Sequence, residues 1–488
     1  MAGGPEKGPL ISNSFKVGED EIRLVSDPAH SLKNIRNCFQ NQKILYMNDK
    51  YVQENGLSTN EVNFDIFEKI VRFDEERELC IAPHLSAKVL KMSAGKFKKM
   101  DVGIAMKLLS WDTARAIKWL VQNYPEEFTH YYMTTMVFIE YIAQWWDIMK
   151  SRSVKMCFHS KRPQIWRQNQ EFLEKFIDFW GSMKVHPSQK QGYWKQQKSA
   201  LISTLSILQL ADTLVKKDGY EFFLPGRCLN DAIENFFSVV RLMNKNPTAL
   251  MFERQAKAIC ITQFLKHNPR GCYEEDDSEI LLVDFEDFKE HLIDPEFAEE
   301  NQDIESLGDE VYEEIEKEDF DPNDKAETAA LANIAGYMLK HTIKGTSRCK
   351  KCTDYFTADP ETDEQERNSL IKIRSFTPGS LVLPSIFANE MFYSAELTFR
   401  SKRLGLLKQN KNIANQLLTF VLEDLKNEFS AMEPPTCHLK IIFGRFIRSR
   451  LHFWARKCNQ ILLPKQEAEI AKKAEASASG FQCQTTHN

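Results

Sequence analysis

Residues 229–241 read Leu-Asn-Asp-Ala-Ile-Glu-Asn-Phe-Phe-Ser-Val-Val-Arg, and they place two carboxylates about one helical turn apart beside a run of Ile, Phe and Val. Read as a helix, the segment sets Ile233, Phe236, Phe237 and Val240 on one face. Asp231, Glu234, Ser238 and Arg241 then form a polar stripe at spacings of three and four. One account makes Asp231 the N-cap and Glu234 its N3 partner, a capping box that satisfies orphan N–H groups. The other makes Glu234 part of a carboxylate site completed by residues far away in the sequence.

The rest of the chain sets limits on that choice. With 488 residues and 42% hydrophobic content the chain exceeds one core, and two to four domains are expected. The opening stretch lacks a basic segment followed by an apolar run, and no window of membrane-spanning length is free of charge. A soluble intracellular protein with no membrane partner is the expectation. Eleven scattered cysteines with one close pair do not make a secreted disulfide framework.

Charge is unevenly divided. Residues 274–327 hold 25 acids and 3 lysines, which leaves 61 Lys and Arg against 44 Asp and Glu elsewhere. A basic body beside an acidic linker suggests a polyanionic partner, since Lys and Arg that neutralise phosphates release counterions. Solubility alone is also a sufficient reason for such charge.

Near the amino terminus, Glu-Ile-Arg-Leu-Val-Ser at 21–26 predicts a short strand. Asp27-Pro28 then opens a helix with Asp at the N-cap and Pro at its favoured first position. His30, Lys33 and Arg36 recur at spacing three on that helix, either to meet phosphate or as a solvated face. From about 64 to 210 apolar residues recur at three and four, which predicts a helical block. Helical periodicity resumes beyond Thr328, and the last residues are expected to fray. Cys349-x-x-Cys352 has the spacing of half a zinc site, with Cys437-His438 able to complete it; the alternative is a pair of reduced thiols.

Several of these segments, in this order, resemble the P-element-like transposases, including their THAP-domain relatives. The family's second catalytic Asp lies in a pattern matched by Asp27, Pro28, His30, Lys33, Arg36 and Asn37. Its catalytic Glu lies in a pattern matched from Asp231 to Ser238, with Asn230 in place of a Gln. Asn246, Pro247 and Thr248 resemble the continuation, as do Asp147, Ser151 and Arg152, although Lys150 stands where Asn is usual. The resemblance runs from about Val17 to Lys457.

What it implies is an α/β but predominantly helical chain, divided as follows. Residues 17–40 and 196–273 form a partial ribonuclease-H-like domain carrying Asp27 and Glu234, with Asp231, His30, Lys33 and Arg36 in support. Residues 41–195 form an all-helical GTP-binding-type insertion, 274–327 an acidic linker, 328–460 a helical carboxyl-terminal region and 461–488 a tail. Mg²⁺ or Mn²⁺ at Asp27 and Glu234, GTP, DNA as partner, self-association and a nuclear location follow from the same resemblance. The family's first catalytic Asp and its zinc-binding THAP module have no counterpart in this sequence. The expectation is therefore a transposase-derived DNA-binding protein with an incomplete set of catalytic acids; the alternative is a domesticated, non-catalytic DNA- or protein-binding scaffold.

Overall fold

The computed structural model describes residues 12–18, 20–90, 102–188, 195–243, 247–265, 321–347, 349–375, 381–407 and 412–455, and these are predominantly helical. The chain divides into two compact units: Met1–Lys69 with His84–Asp294, and Ile70–Pro83 with Pro295–Asn488. Ile70–Pro83, within the expected 41–195 span, clusters with the second unit. No described helix is long and apolar enough to cross a membrane.

In the first unit, β1 (Ser14–Val17) pairs antiparallel with β2 (Asp20–Arg23). The strand expected over 21–26 ends early, because beyond Leu24 the backbone turns toward the Lys195–Ala211 helix. That helix offers a row of small hydroxyls at helical spacing. Ser206 Oγ donates to Leu24 O at 2.5 Å, and Ser203 Oγ donates to Ser26 O. Ser31 and Ser199 meet hydroxyl to hydroxyl at 3.2 Å. These bonds fix the segment that delivers Asp27.

The Pro28–Gln42 helix buries Leu32, Ile35 and Phe39. Phe39 contacts Phe64, Phe67 and Phe138 edge-on at centroid distances of 5.2, 6.0 and 5.3 Å, a favourable quadrupole geometry. Behind it, Trp145 on the Met133–Met149 helix stacks on Phe176 of the Pro163–Ser182 helix at 5.3 Å, and its indole N–H reaches Thr204 Oγ1 at 2.9 Å. A buried Trp is stable here because its one donor is satisfied.

The span 41–195, expected to be all-helical, contains short strands, one of which pairs with a strand beyond it. Strands β3 (Ile44–Tyr46) and β4 (Glu61–Asn63) pair antiparallel, and β5 (Phe158–His159) pairs with β6 (Phe222–Phe223). Each is two or three residues long, too short for period-two patterning to show in the sequence. The described strands form these three two-stranded sheets.

In the second unit, the Lys325–Leu339 helix starts inside what the sequence marked as linker. The Asp324 carboxylate caps it through the N–H groups of Ala326 and Glu327, at 2.8 and 3.4 Å. Residues 274–320 of the linker and the 461–488 tail lie outside the described residues. Gly336 permits close packing, since a Cβ there would meet Val382 O at 2.3 Å. The Ile386–Leu407 helix carries Phe392 against Phe443 and Phe446 of a last helix over 439–455, at 4.9 and 5.2 Å.

A buried ionic cluster holds this unit together. Glu78, Glu327 and Glu396 face Arg400, Arg403 and Arg450, all six side chains being at most 8% exposed. Arg450 gives Nε and Nη2 to the two oxygens of Glu396, both at 2.7 Å, while Nη2 also reaches Glu78 at 3.1 Å. Arg403 pairs with Glu78, and Arg400 bridges Glu396 and Glu327 at 2.9 and 3.0 Å. Charges balance three against three, which is what makes their burial tolerable.

Candidate functional site

Asp27, His30 and Glu234 come together although they lie far apart in sequence: one ligand atom from each falls within 4.8 Å of the other two. Asp27 is positioned twice over. Its carboxylate caps the Pro28–Gln42 helix, accepting from Ala29 N at 3.4 Å and His30 N at 3.3 Å, and Pro28 at the first position removes a donor that would otherwise be unmet. The same carboxylate accepts a short contact from His30 Nδ1. The other ring nitrogen, Nε2, lies 3.6 Å from Glu234 Oε1. The imidazole thus stands between the two carboxylates. Asp27 is buried, while the Glu234 side chain is 52% exposed, leaving one side of the group open to solvent.

Glu234 is delivered by a second device. The Pro225–Cys228 turn is clamped to the end of the Met133–Met149 helix: Gly226 N donates to Ser151 O at 3.0 Å, and Arg152 Nε donates to Gly226 O at 3.4 Å. A Cβ at Gly226 would lie 2.3 Å from Lys150 O, so only glycine allows this approach. Asp147 is occupied structurally, accepting Trp111 Nε1 at 2.8 Å and pairing with Lys150 at 3.4 Å.

The 229–241 segment differs from its expected capping box by one residue. The Asn230 carbonyl accepts Glu234 N at 2.9 Å, so Asn230 holds the cap position and Glu234 lies a step past N3, released from capping. The helix spans Asp231–Met243; the Asp231 side chain lies outside the described residues. Of the apolar face only Val240 is fully buried, with Ile233 and Phe237 exposed. Phe237 stacks on Phe252 at 5.9 Å instead of entering a core.

Lys33 and Arg36, read as a phosphate-facing or solvated row with His30, are neither. They are 5% and 2% exposed, inside the first unit. Spacing three rotates each residue about 60° from the last, so the row winds from the open edge at His30 into the interior.

In the second unit, Cys349, Cys352, Cys437 and His438 also converge, their ligand atoms all within 4.8 Å of one another. Cys349 stands at the start of the Lys350–Phe356 helix and Cys352 in its first turn, while Cys437 and His438 immediately precede the 439–455 helix. The spacing of the first pair is legible in the sequence; the pairing with 437–438 depends on the fold.

Sequence reasoning did not anticipate two features. Asp74, buried, accepts the N–H groups of Ile81 and Ala82 at 2.9 and 2.8 Å, and burial raises its carboxyl to about 6 against the effect of those bonds. Glu78 sits in the ionic cluster, where burial pushes its carboxyl up but Arg450, Arg400 and Arg403 together bring it down to about 2. Nothing in a linear pattern marks either: Asp74 meets backbone N–H groups of the turn that follows its own helix, and the arginines around Glu78 arrive from distant helices.

Among curated proteins none matches the chain. A solved structure, the Drosophila P element transposase strand transfer complex, is similar at 18% identity and a TM-score of 0.42, covering 52% of this chain and 56% of that one. The chain thus spans about half the length of that structure's chain. Residues 29–163 match the family model described as the TNP-like, GTP-binding insertion domain, a span that starts two residues after Asp27 and ends before the expected boundary at 195.

Proposed function

We propose that this chain is a transposase-derived DNA-binding protein whose first unit holds a divalent metal ion between Asp27 and Glu234, the two acids of a ribonuclease-H-like site flanking a nucleotide-binding insertion. The observation that carries the reading is the convergence of those carboxylates around His30. The match of residues 29–163 to an insertion domain supports it. So does the excess of basic charge outside the acidic segment.

The donor set suits a hard cation. Oxygen ligands of one Mg²⁺ at about 2.1 Å lie roughly 3–4 Å apart. The half-exposed Glu234 side chain can close the remaining distance while Asp27 stays fixed by its helix. A bound Mg²⁺ or Mn²⁺ would supply Lewis-acid polarisation of a phosphodiester. Asp27 and Glu234 bind, His30 orients both carboxylates, and the exposed edge admits the DNA backbone. Among the described residues only two carboxylates meet here, which favours a second reading for the chain: a non-cleaving scaffold that holds metal and DNA.

GTP is proposed from the domain match alone. The glycines within 29–163 are Gly56, Gly95 and Gly103, and none forms a Gly-x₄-Gly-Lys loop. The residues present do not make a Walker-type phosphate nest, and no step is derived through the nucleotide. Self-association and a nuclear location accompany the transposase reading.

The test is duplex binding by fluorescence anisotropy between 50 and about 200 mM salt, comparing the full chain with a deletion of residues 274–320. The deletion stops at 320 because Asp324 caps a helix and Glu327 is in the ionic cluster. It removes 22 acids and 2 lysines. Binding with a steep salt dependence, tightened on the order of tenfold by the deletion at low salt, is expected. No duplex binding by either form would end the DNA reading, and metal-dependent nicking lost in Glu234→Gln would select the enzyme over the scaffold.

A further inference from the structure

The four-residue cluster in the second unit belongs to neither the carboxylate site nor the DNA reading, and its chemistry is different. Three thiols and one imidazole replace hard oxygens. Cys352 Sγ lies 3.2 Å from Cys437 Sγ and 3.3 Å from His438 Nδ1, and Cys349 Sγ lies 3.8 Å from Cys437 Sγ. His438 Nδ1 is 3.2 Å from Cys437 Sγ. For tetrahedral zinc with Zn–S of about 2.3 Å and Zn–N of about 2.0 Å, ligand atoms lie roughly 3.5–3.8 Å apart. The observed separations are within about half an ångström of those values. They are far from the roughly 2.0 Å of a disulfide, and all three cysteines are free thiols.

The four ligands come from two chain segments that the fold has brought side by side. Cys349 and Cys352 bracket the first turn of the Lys350–Phe356 helix, a spacing that points both sulfurs to one side. The carbonyl of His438 accepts the N–H groups of Ile441 and Ile442 at 3.0 and 2.9 Å, so His438 sits at the entry of the 439–455 helix with its ring turned back toward Cys352. Cys352 is fully buried, whereas Cys437 is exposed. One end of the cluster is therefore shielded and the other gives a path of entry. Lys350, Lys351 and Lys440 adjoin the ligands in sequence and offset the negative charge of a three-thiolate site.

We infer that Cys349, Cys352, Cys437 and His438 form a structural zinc site of the Cys₃His type, closing the Lys350–Phe356 helix onto the start of the 439–455 helix. Four protein ligands fill a tetrahedral zinc and leave no open position, so the site is structural rather than catalytic. The soft sulfur donors select zinc over the Mg²⁺ or Mn²⁺ suited to the other unit. Because the metal joins segments 85 positions apart, its free energy of binding becomes stability of this unit. The helix it anchors carries Arg450 into the ionic cluster.

The full chain, purified without chelator, is analysed for metal by mass spectrometry and then exchanged with Co²⁺. About one zinc per chain is expected, with the intense visible absorption and sulfur-to-metal charge transfer of tetrahedral thiolate-bound Co²⁺. Chelation should lower the melting temperature by roughly 10 °C. Cys352→Ser and Cys437→Ser should lose the zinc. Cys437→His, which keeps a ligand, should retain it and guards against misreading a folding failure, while Cys157→Ser and Glu234→Gln should leave the content unchanged. Those last two controls separate this site from the carboxylate site. A chain that binds no zinc, a Co²⁺ spectrum without thiolate bands, or a Cys349–Cys437 disulfide in the purified protein would overturn the assignment.

Discussion

Replacing Glu396 by Gln tests how the second unit is held together. The substitution keeps the shape of the side chain but leaves Arg400, Arg403 and Arg450 facing two carboxylates instead of three. Arg450 loses two charge-assisted bonds of 2.7 Å, and an amide NH₂ must face a guanidinium. Arg450 is 1% exposed, so water cannot replace the lost partner. Removing one member of a buried ion pair costs about 3–5 kcal/mol, because the remaining charge is stranded, and not because the pair itself is worth that much. At about 1.4 kcal/mol per factor of ten, amide exchange in the 439–455 helix should quicken by roughly 10²–10⁴-fold. Native-state hydrogen exchange read by mass spectrometry on peptides from this helix is the assay. An acceleration of less than about fivefold, under roughly 1 kcal/mol, would mean that the cluster behaves as solvated surface pairs and that the burial argument is wrong.

Two further outcomes follow from the same geometry. Acidification should act on the second unit in two opposed stages. Asp74, pushed up to about 6 by burial, contributes stability that grows as pH falls from above 6 toward its ordinary value near 4. Glu78, held down to about 2, contributes stability that is complete above about 4.5 and lost as pH falls from there through 2. Exchange protection of 439–455, corrected for intrinsic rates, should peak at mildly acid pH; a steady rise through pH 7 would contradict the Asp74 assignment, and undiminished protection from pH 4.5 down to 3 the Glu78 one. In the first unit, Gly226→Ala puts a Cβ 2.3 Å from Lys150 O, which should lower stability by about 1–3 kcal/mol and weaken metal binding by displacing Glu234, whereas an unchanged melting temperature would show that the turn can yield.

The legible parts of the molecule were those written in adjacent residues. Asp27-Pro28 announces a helix start, and the Asp27 carboxylate does cap it. The three- and four-residue apolar spacing around Met133–Met149 and Pro163–Ser182 gives the helices that bury Trp145, Phe176 and Trp180. Helical periodicity says which side of a residue faces inward only when one face is clearly apolar. Lys33 and Arg36 read in the sequence as a phosphate-facing or solvated row because long cationic side chains are normally outside, and only the fold reveals them as interior. The two- and three-residue strands β3 to β6 are too short to leave a pattern. Asp324 and Glu327 look in the sequence like the acids before them, yet one caps a helix and the other enters an ion cluster. Composition cannot separate a solvated acid from a buried one with an Arg partner.

The most direct test of the carboxylate site is Mn²⁺ binding, measured by calorimetry and by the loss of free-ion electron paramagnetic resonance signal. The variants are Asp27→Asn and Glu234→Gln. Asn is as good an N-cap as Asp, so Asp27→Asn removes the charge while keeping the helix start. Glu234 lies one position past N3, and Gln preserves its size. Each variant should weaken Mn²⁺ binding by at least about tenfold, the loss of one carboxylate being worth on the order of 1.4 kcal/mol or more, with the circular dichroism spectrum unchanged. Mn²⁺ affinity equal to wild type in both variants would show that Asp27 and Glu234 are neighbours without being ligands.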